Sequence, residues 1–301
     1  MEDNITIDST RSSEIMLGDF DDRCAPSISF SNKSCIKLNI LIDMVKAYNE
    51  EHQNDQIKLY PNFETLNPSK YKRYLLKQVN IKLSDKCTSQ KCWTEQDFIE
   101  NMKDKSKEEL IKYTFRPEGP EGKFEWLNTI NIDEVMKQYE KKYNDFKFLG
   151  ALPIDFNDLP FLGIRNLNLN DLIKNNKTKI GVIFNLDRHD ESGSHWVALY
   201  CDLLKGLIYF YDSYGIPPKK EIRSFMRKLY SVCENTINLK NIISDHNKIR
   251  HQYENSECGV YSINFILRML NGDSFEKICN DKTPDNVINK MRNIYFFNAR
   301  V

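Results

Sequence analysis

Four residues of this chain have types and spacings that together could break an acyl bond: His195, Asp212, Gln252 and Cys258. Cys258 ends a polar run that starts at His251 and opens a mostly apolar one, Val260, Ile263, Phe265, Ile266, Leu267, Met269 and Leu270. That composition predicts a buried helix with Cys258 at its N-terminus. Free N–H groups and the positive end of the helix dipole favour a thiolate there. A lone cysteine at the start of a core helix is more often packing than chemistry, so the other three residues must change the weight. His195 begins an apolar stretch after a Gly/Ser loop, and Asp212 ends the next one. If the two stretches pair about the Lys205-Gly206 turn, His195 lies ten residues before Lys205 and Asp212 six after Gly206, so both reach the same sheet edge. A carboxylate there could hold the imidazole by one nitrogen and leave the other for the thiol, as in thiol hydrolases. Gln252 lies six residues before Cys258. Its amide could donate to an oxyanion beside the Cys258 N–H, and one such donor is worth about 2.7–4 kcal/mol in a transition state. Each residue also has an ordinary reading: a packed histidine, a strand-ending aspartate, a loop glutamine.

The elements that would position these groups are legible as patterns. Ile180–Leu186, His195–Asp202 and Leu207–Asp212 read as strands, the last two as an antiparallel hairpin. Ile222, Phe225, Met226, Leu229 and Val232 mark an amphipathic helix, and 239–244 a further strand. Gly272 reads as the C-cap of the Cys258 helix, and Thr283-Pro284 opens a last helix carrying Val287, Ile288, Met291 and Ile294. Upstream, residues 1–30 are acidic, Ser-rich and unpatterned, which predicts a mobile tail. Residues 31–115 read as a helical region, with Thr94 and Asp97 resembling a capping box before Phe98. Arg116–Gly122 is a Pro/Gly break, and 116–301 reads as the catalytic core, with a helix opening at Asn131-Ile132-Asp133-Glu134. His189 reads as solvated, and His52, His246 and His251 have no identifiable partner.

Composition bounds the class. Hydrophobic residues are 40% and charged residues 29% of 301, as in a soluble globular protein. Lys+Arg and Asp+Glu are both 43, so no global field draws the chain to nucleic acid or membrane. No run approaches the roughly 18 apolar residues of a membrane span, and no signal peptide opens the chain. Eight cysteines in this length are sparse for a disulfide scaffold, which predicts free thiols in a reducing, intracellular setting. Cys87 and Cys92 stand as C-x4-C without a second pair, which favours packing over a metal site.

The run His195-Trp196, then Asp212, then Gln252-x5-Cys258-Gly259 resembles the cysteine proteases typified by SUMO-deconjugating enzymes and the adenovirus maturation protease, over about residues 180–270. Arg116–Gly122, the Asn131 helix start, Ile249–Gln252 and Cys87-x4-Cys92 extend the resemblance to the polyprotein-processing protease type of African swine fever virus and giant DNA viruses. The resemblance implies an α+β, papain-like, circularly permuted core with a central mixed sheet, and no cofactor. It implies His195 as base, Asp212 as orienter, Gln252 as oxyanion donor, Cys258 as nucleophile, and Trp196 as the wall of a narrow channel suited to glycine. The African swine fever type carries Asn where this chain has Asp212. The implied partner is a polypeptide, either a viral polyprotein cut in the virion or viral factory, or a ubiquitin-like modifier. Acetyl transfer by related bacterial effectors and a non-catalytic virion protein are the remaining alternatives.

Overall fold

The computed structural model describes residues 23–60 and 67–298. The chain forms two compact units, Met1–Arg116 and Pro117–Val301. Of the expected tail, residues 1–22 lie outside the described residues. Residues 23–30 are instead packed: Cys24, Ala25 and Ile28 are buried, and the Ala25 N–H donates to the Thr114 carbonyl.

The first unit is helical. Helix α1 (Leu38–Glu51) buries Ile40, Leu41, Met44, Val45 and Tyr48, one face of a 3.6-residue period. Helix α2 (Pro68–Leu83) opens on an Asn67 cap with Pro68 in its first turn, and buries Tyr71, Leu75, Val79 and Leu83. Two short helices follow, α3 (Gln90–Trp93) and α4 (Asp104–Tyr113). The expected capping box at Thr94 is not formed. Thr94 ends α3, its hydroxyl donates to the Lys91 carbonyl, and Asp97–Asn101 is a 3-10 turn. A terminating hydroxyl and an initiating one look alike in sequence.

The expectation of free thiols throughout is overturned here. Cys24 pairs with Cys35 and Cys87 with Cys92, at Cα separations of 5.3 and 5.5 Å. Cys87 and Cys92 are thus a crosslink rather than packing or metal ligands. Density averaged over the whole chain concealed that these four cysteines fall in one small unit, where short loops bring each pair within bonding reach. Cys201, Cys233, Cys258 and Cys279 are free and buried.

The second unit is built on one mixed sheet of strands β1 (Phe146–Pro153), β2 (Lys179–Asn185), β3 (Trp196–Asp202), β4 (Leu207–Tyr211) and β5 (Ile243–His246), in that spatial order. β1 runs parallel to β2 and β4 to β5, while β3 is antiparallel to both of its neighbours, β2 and β4. The hairpin about Lys205-Gly206 closes with Asp202 opposite Leu207, and Gly206 takes φ 65°, a turn conformation glycine adopts without strain. β1 was not expected from the sequence, and β5 overlaps the strand expected at 239–244 only at Ile243 and Ser244, running on to His246.

Both faces of the sheet are covered. Val197, Leu199 and Cys201 of β3 point into one core with Leu169 of α6 (Leu169–Lys174) and Phe225 and Leu229 of α7 (Lys220–Asn235). Trp196, Ala198 and Tyr200 point into the other, against α5 (Thr129–Lys142) and α8 (Cys258–Leu270). Alternate residues therefore serve opposite cores, the period of two of a strand. α5 opens on a reciprocal Asn128–Asn131 capping box. α8 is buried nearly all round, so its side chains stabilise the unit by about 1.5–3 kcal/mol each.

Gly259, the second residue of α8, lets the chain at Leu127 come close. A Cβ there would sit 3.1 Å from the Leu127 Cβ. Gly259→Val is expected to cost about 1–3 kcal/mol by overpacking, read as a lowered thermal midpoint. An unchanged midpoint would refute this close-packing account.

Beyond Gly272, which takes φ 94° after the helix, come the short helices α9 (Phe275–Asn280), α10 (Asp285–Lys290) and α11 (Arg292–Tyr295). The expected single last helix is thus two pieces, and Val287 of its apolar face is 37% exposed. Among the described residues no helix is long and apolar enough to cross a membrane.

Candidate active site

The β3–β4 ladder ends at the pair Ala198 and Tyr211. Ala198 faces Tyr211, so Asp212 stands one step beyond that pair, diagonal to His195. The His195 Nε2 lies 2.7 Å from Asp212 Oδ1. Tyr214 sits in the turn that follows β4, closed by the Gly215 N–H on the Asp212 carbonyl, and its ring stacks on the imidazole at 4.4 Å and 5°. The Arg250 guanidinium covers Tyr214 at 4.9 Å and also lies over Tyr253 at 5.0 Å. The stack leaves the imidazole little freedom to rotate.

Asp212 is buried and held from several sides. Its Oδ1 also accepts from the Tyr214 N–H at 2.8 Å. Its backbone N–H donates to Asn247 Oδ1 at 2.8 Å, and its carbonyl accepts from Asn247 Nδ2 at 2.6 Å. With Nε2 engaged by Asp212, Nδ1 is the imidazole nitrogen left free, and Cys258 is near enough to raise the pKa of the ring. Cys258 is the first residue of α8 and only 1% exposed.

Burial is the largest influence on the His195 pKa and lowers it. The hydrogen bonds and charges of Asp212 and Cys258 outweigh burial and push it from 6.5 up to about 9. At neutral pH the imidazole is therefore protonated. Because folding raises this pKa, the interaction contributes its full stability below pH 6.5 and loses it as pH rises through about 9. The thermal midpoint is expected to fall across that window, and Asp212→Ala to flatten the fall. Hydrolysis should lose its imidazolium on an alkaline limb near pH 9. A flat profile between pH 7 and 10 would contradict this.

Gln252 is completely buried. Its Oε1 accepts from Ser213 Oγ at 2.6 Å, and its Nε2 donates to the Glu254 carbonyl at 2.7 Å. A carbonyl can only accept, so the amide's orientation is chemically determined. One Nε2 proton remains for another acceptor. The loop bearing Gln252 is tied down by the His251 and Gln252 N–H groups, both donating to the Ser213 carbonyl, and by Asp285, whose Oδ2 accepts from the Tyr253 and Glu254 N–H groups.

Trp196 is buried, and its indole N–H donates to the Leu127 carbonyl at 2.8 Å. His251, expected without a partner, is also buried. It bonds the Tyr211 hydroxyl through Nδ1 and the Cys279 carbonyl through Nε2, and burial lowers its pKa. His189 is not simply solvated: its Nδ1 lies 2.6 Å from Asp155 Oδ2. His52 stacks on Tyr48 at 4.2 Å, and His246 lies 3.8 Å from Asp245.

Several residues of this site went unread in the sequence. Ser213 is adjacent to Asp212, but its reach to Gln252 depends on the fold. Asn247 arrives beside Asp212 because β5 runs parallel to β4. Glu257 precedes the cysteine and pairs with Arg292, which is almost fully buried. The spacing Asp285–Asn289 was a usable signal, since a step of four shares a helical face, whereas Arg292 lies across the break between α10 and α11.

A thiol at the start of a buried helix, beside a histidine held by an acid at the edge of a mixed sheet, defines the cysteine-protease class on a papain-like α+β core. Comparison with known proteins agrees. The description "Ulp1 protease family, C-terminal catalytic domain" matches residues 163–299. A protein of Acanthamoeba polyphaga mimivirus named as a thiol protease is 36% identical over 273 residues, covering 89% of this chain and 90% of the relative. The African swine fever virus protein named SUMO-1 cysteine protease is 26% identical over 208 residues, covering 64% of this chain and 75% of the relative. The crystal structure of the African swine fever virus protease superposes with a TM-score of 0.62 at 18% identity, over 91% of this chain and 95% of that one, a likeness of fold. The chain belongs to the Ulp1 protease family and is a cysteine protease.

Proposed function

We propose that this protein is an endopeptidase that matures viral structural polyproteins at glycine-containing sites, with residues 117–301 as its catalytic body. Cys258 is the nucleophile, His195 the acid and base, Asp212 its orienter and Gln252 the oxyanion donor. The observation that carries this reading is the His195 Nε2–Asp212 contact of 2.7 Å, with Cys258 at the helix N-terminus near enough to act on the same ring.

The Cys258 thiolate attacks the peptide carbonyl, and the carbonyl electrons move to oxygen, where the Cys258 N–H and the remaining Gln252 proton receive them. The oxyanion collapses, the C–N bond breaks, and the His195 imidazolium gives its proton to the leaving amine. Neutral His195 then takes a proton from water as that water attacks the thioester. Collapse of the second oxyanion expels the Cys258 thiolate and restores the imidazolium. Trp196, tied to Leu127, forms one wall of the channel and favours glycine, which presents no side chain to it. The virion or viral factory is the setting this reading implies.

A second reading, removal of a ubiquitin-like modifier, is favoured by the name of the African swine fever virus relative, SUMO-1 cysteine protease. The two separate on one experiment. Short glycine-containing peptides and full-length modifier precursors are offered to the unaltered chain and to Cys258→Ala. Cleavage of the peptides, lost in the variant, supports the maturation reading. Cleavage of folded precursors alone replaces it with deconjugation. Cleavage of neither, with Cys258 inert to alkylation, sinks both.

A further inference from the structure

The residue before the candidate nucleophile, Glu257, is 1% exposed, and so is not a solvated surface acid. It occupies the N-cap position of α8, yet its side chain makes no hydrogen bond to its own helix. Its Oε2 accepts from Arg292 Nε at 3.0 Å. Its Oε1 accepts from Ser256 Oγ and Asn289 Nδ2, each at 2.8 Å, and from Arg292 Nη2 at 3.2 Å. Arg292, 2% exposed, also donates to the Ser256 carbonyl at 3.3 Å.

Stability alone is a poor reason for this arrangement. Burying both charges carries a desolvation penalty that an apolar pair of like volume avoids. The corner is also imperfectly satisfied, since Arg292 Nη1 and Asn289 Oδ1 are buried and have no hydrogen-bond partner among the described residues. Its position suggests the reason. An unpaired carboxylate at the start of α8 would be drawn to the free N–H groups there and would oppose a negative charge on the next side chain.

We propose that Arg292 is a positioning residue for the nucleophile: it turns the Glu257 carboxylate away from α8 and neutralises it, leaving the N–H groups and positive dipole end to Cys258. This inference rests on Cys258 acting as a thiolate. The other charged or titratable groups about this corner are His195 with Asp212, Tyr214 with Arg250 stacked on it, and Tyr261, whose hydroxyl donates to Asp285. Of these, Tyr261 meets Glu257: its N–H donates to the Glu257 carbonyl at 2.8 Å, a backbone bond that side-chain substitution leaves in place, and the Glu257 charge acts on its hydroxyl.

The test is the pH dependence of Cys258 alkylation by iodoacetamide, read at that residue by mass spectrometry, with peptide kcat and KM measured alongside. Arg292→Met is expected to raise the labelling midpoint by about one unit, a roughly tenfold loss of thiolate at pH values below both midpoints. Glu257→Gln is expected to lower the midpoint, and Glu257→Gln with Arg292→Met to return it to that of the unaltered chain. Opposite signs are what compensation demands, whereas mere loosening of the corner would move both single variants the same way. If Arg292→Met does not fold, Glu257→Gln decides by its sign, and an unmoved or raised midpoint overturns the proposal. Failure of the double variant to restore the midpoint overturns it too. Absence of pH-dependent labelling in the unaltered chain would instead sink the cysteine–histidine assignment itself.

Discussion

Cys258→Ala is expected to lower peptide-bond hydrolysis by about a million-fold in kcat, the scale seen when a hydrolase loses its nucleophile. The fold should survive. The substitution removes one sulfur at a site whose neighbours are held by other contacts, and leaves the Glu257–Arg292 pair in place. The remaining free thiols offer no substitute. Cys201 and Cys233 are fully buried in the opposite core. Burial raises the Cys201 pKa, while Cys233, whose pKa is lowered by its hydrogen bond with Cys201, is held on the Leu203 carbonyl away from this site. Burial pushes Cys279 up to about 11. Cys258→Ser should also be severely impaired, because the hydroxyl stays protonated where the thiol ionises. The measurement is single-turnover cleavage of a glycine-containing peptide, with circular dichroism as the check on folding. Residual activity above about a thousandth in a folded Cys258→Ala chain would place the nucleophile elsewhere, because loss of the true one should cost far more.

Gln252→Ala should lower kcat by about a hundred- to a thousand-fold with KM little changed, since an oxyanion donor acts mainly after the carbonyl has been attacked. The orientation of the amide makes this prediction specific. Ser213 holds the oxygen and the Glu254 carbonyl takes one N–H, so one N–H remains for another acceptor. Ser213→Ala should therefore weaken the same step by a smaller factor, because Glu254 still favours the correct orientation. A peptide aldehyde, which forms a tetrahedral adduct on a thiol, should lose affinity in the same order as kcat. If Gln252→Ala raised KM while sparing kcat, the residue would be binding ground-state substrate instead.

The hairpin was readable because it is local. An apolar run, a Lys-Gly turn and a second apolar run set the register within a few residues, and the register alone brings His195 to Asp212. Tyr214 was not readable this way, because it reaches the imidazole from the turn after β4, outside the ladder that ends at Ala198 and Tyr211. The Cys258 helix was readable because its buried faces leave few polar positions. Gln252 was readable only as a loop amide at a suggestive spacing. Its orientation depends on a serine 39 residues away in sequence. The disulfides were misread because composition averages over units that the chain keeps separate.

What the sequence by itself determined is the set of local elements and the chain order of the reactive groups, both written in periods and turns of a few residues. The tertiary structure alone decided which distant residues support them. Asn247 reaches Asp212 only because β5 lies parallel beside β4, and a parallel pairing has no connecting turn to announce it. Asp285, Asn289 and Arg292 reach the Gln252–Cys258 loop only because the last helices dock beside α8. Periodicity marks the apolar face of such a helix as buried, but it cannot say which partner awaits its polar face. The physical reason is range: turns and helix starts are set by neighbours in the chain, while the pairing of a buried charge is set by whatever the completed core places against it.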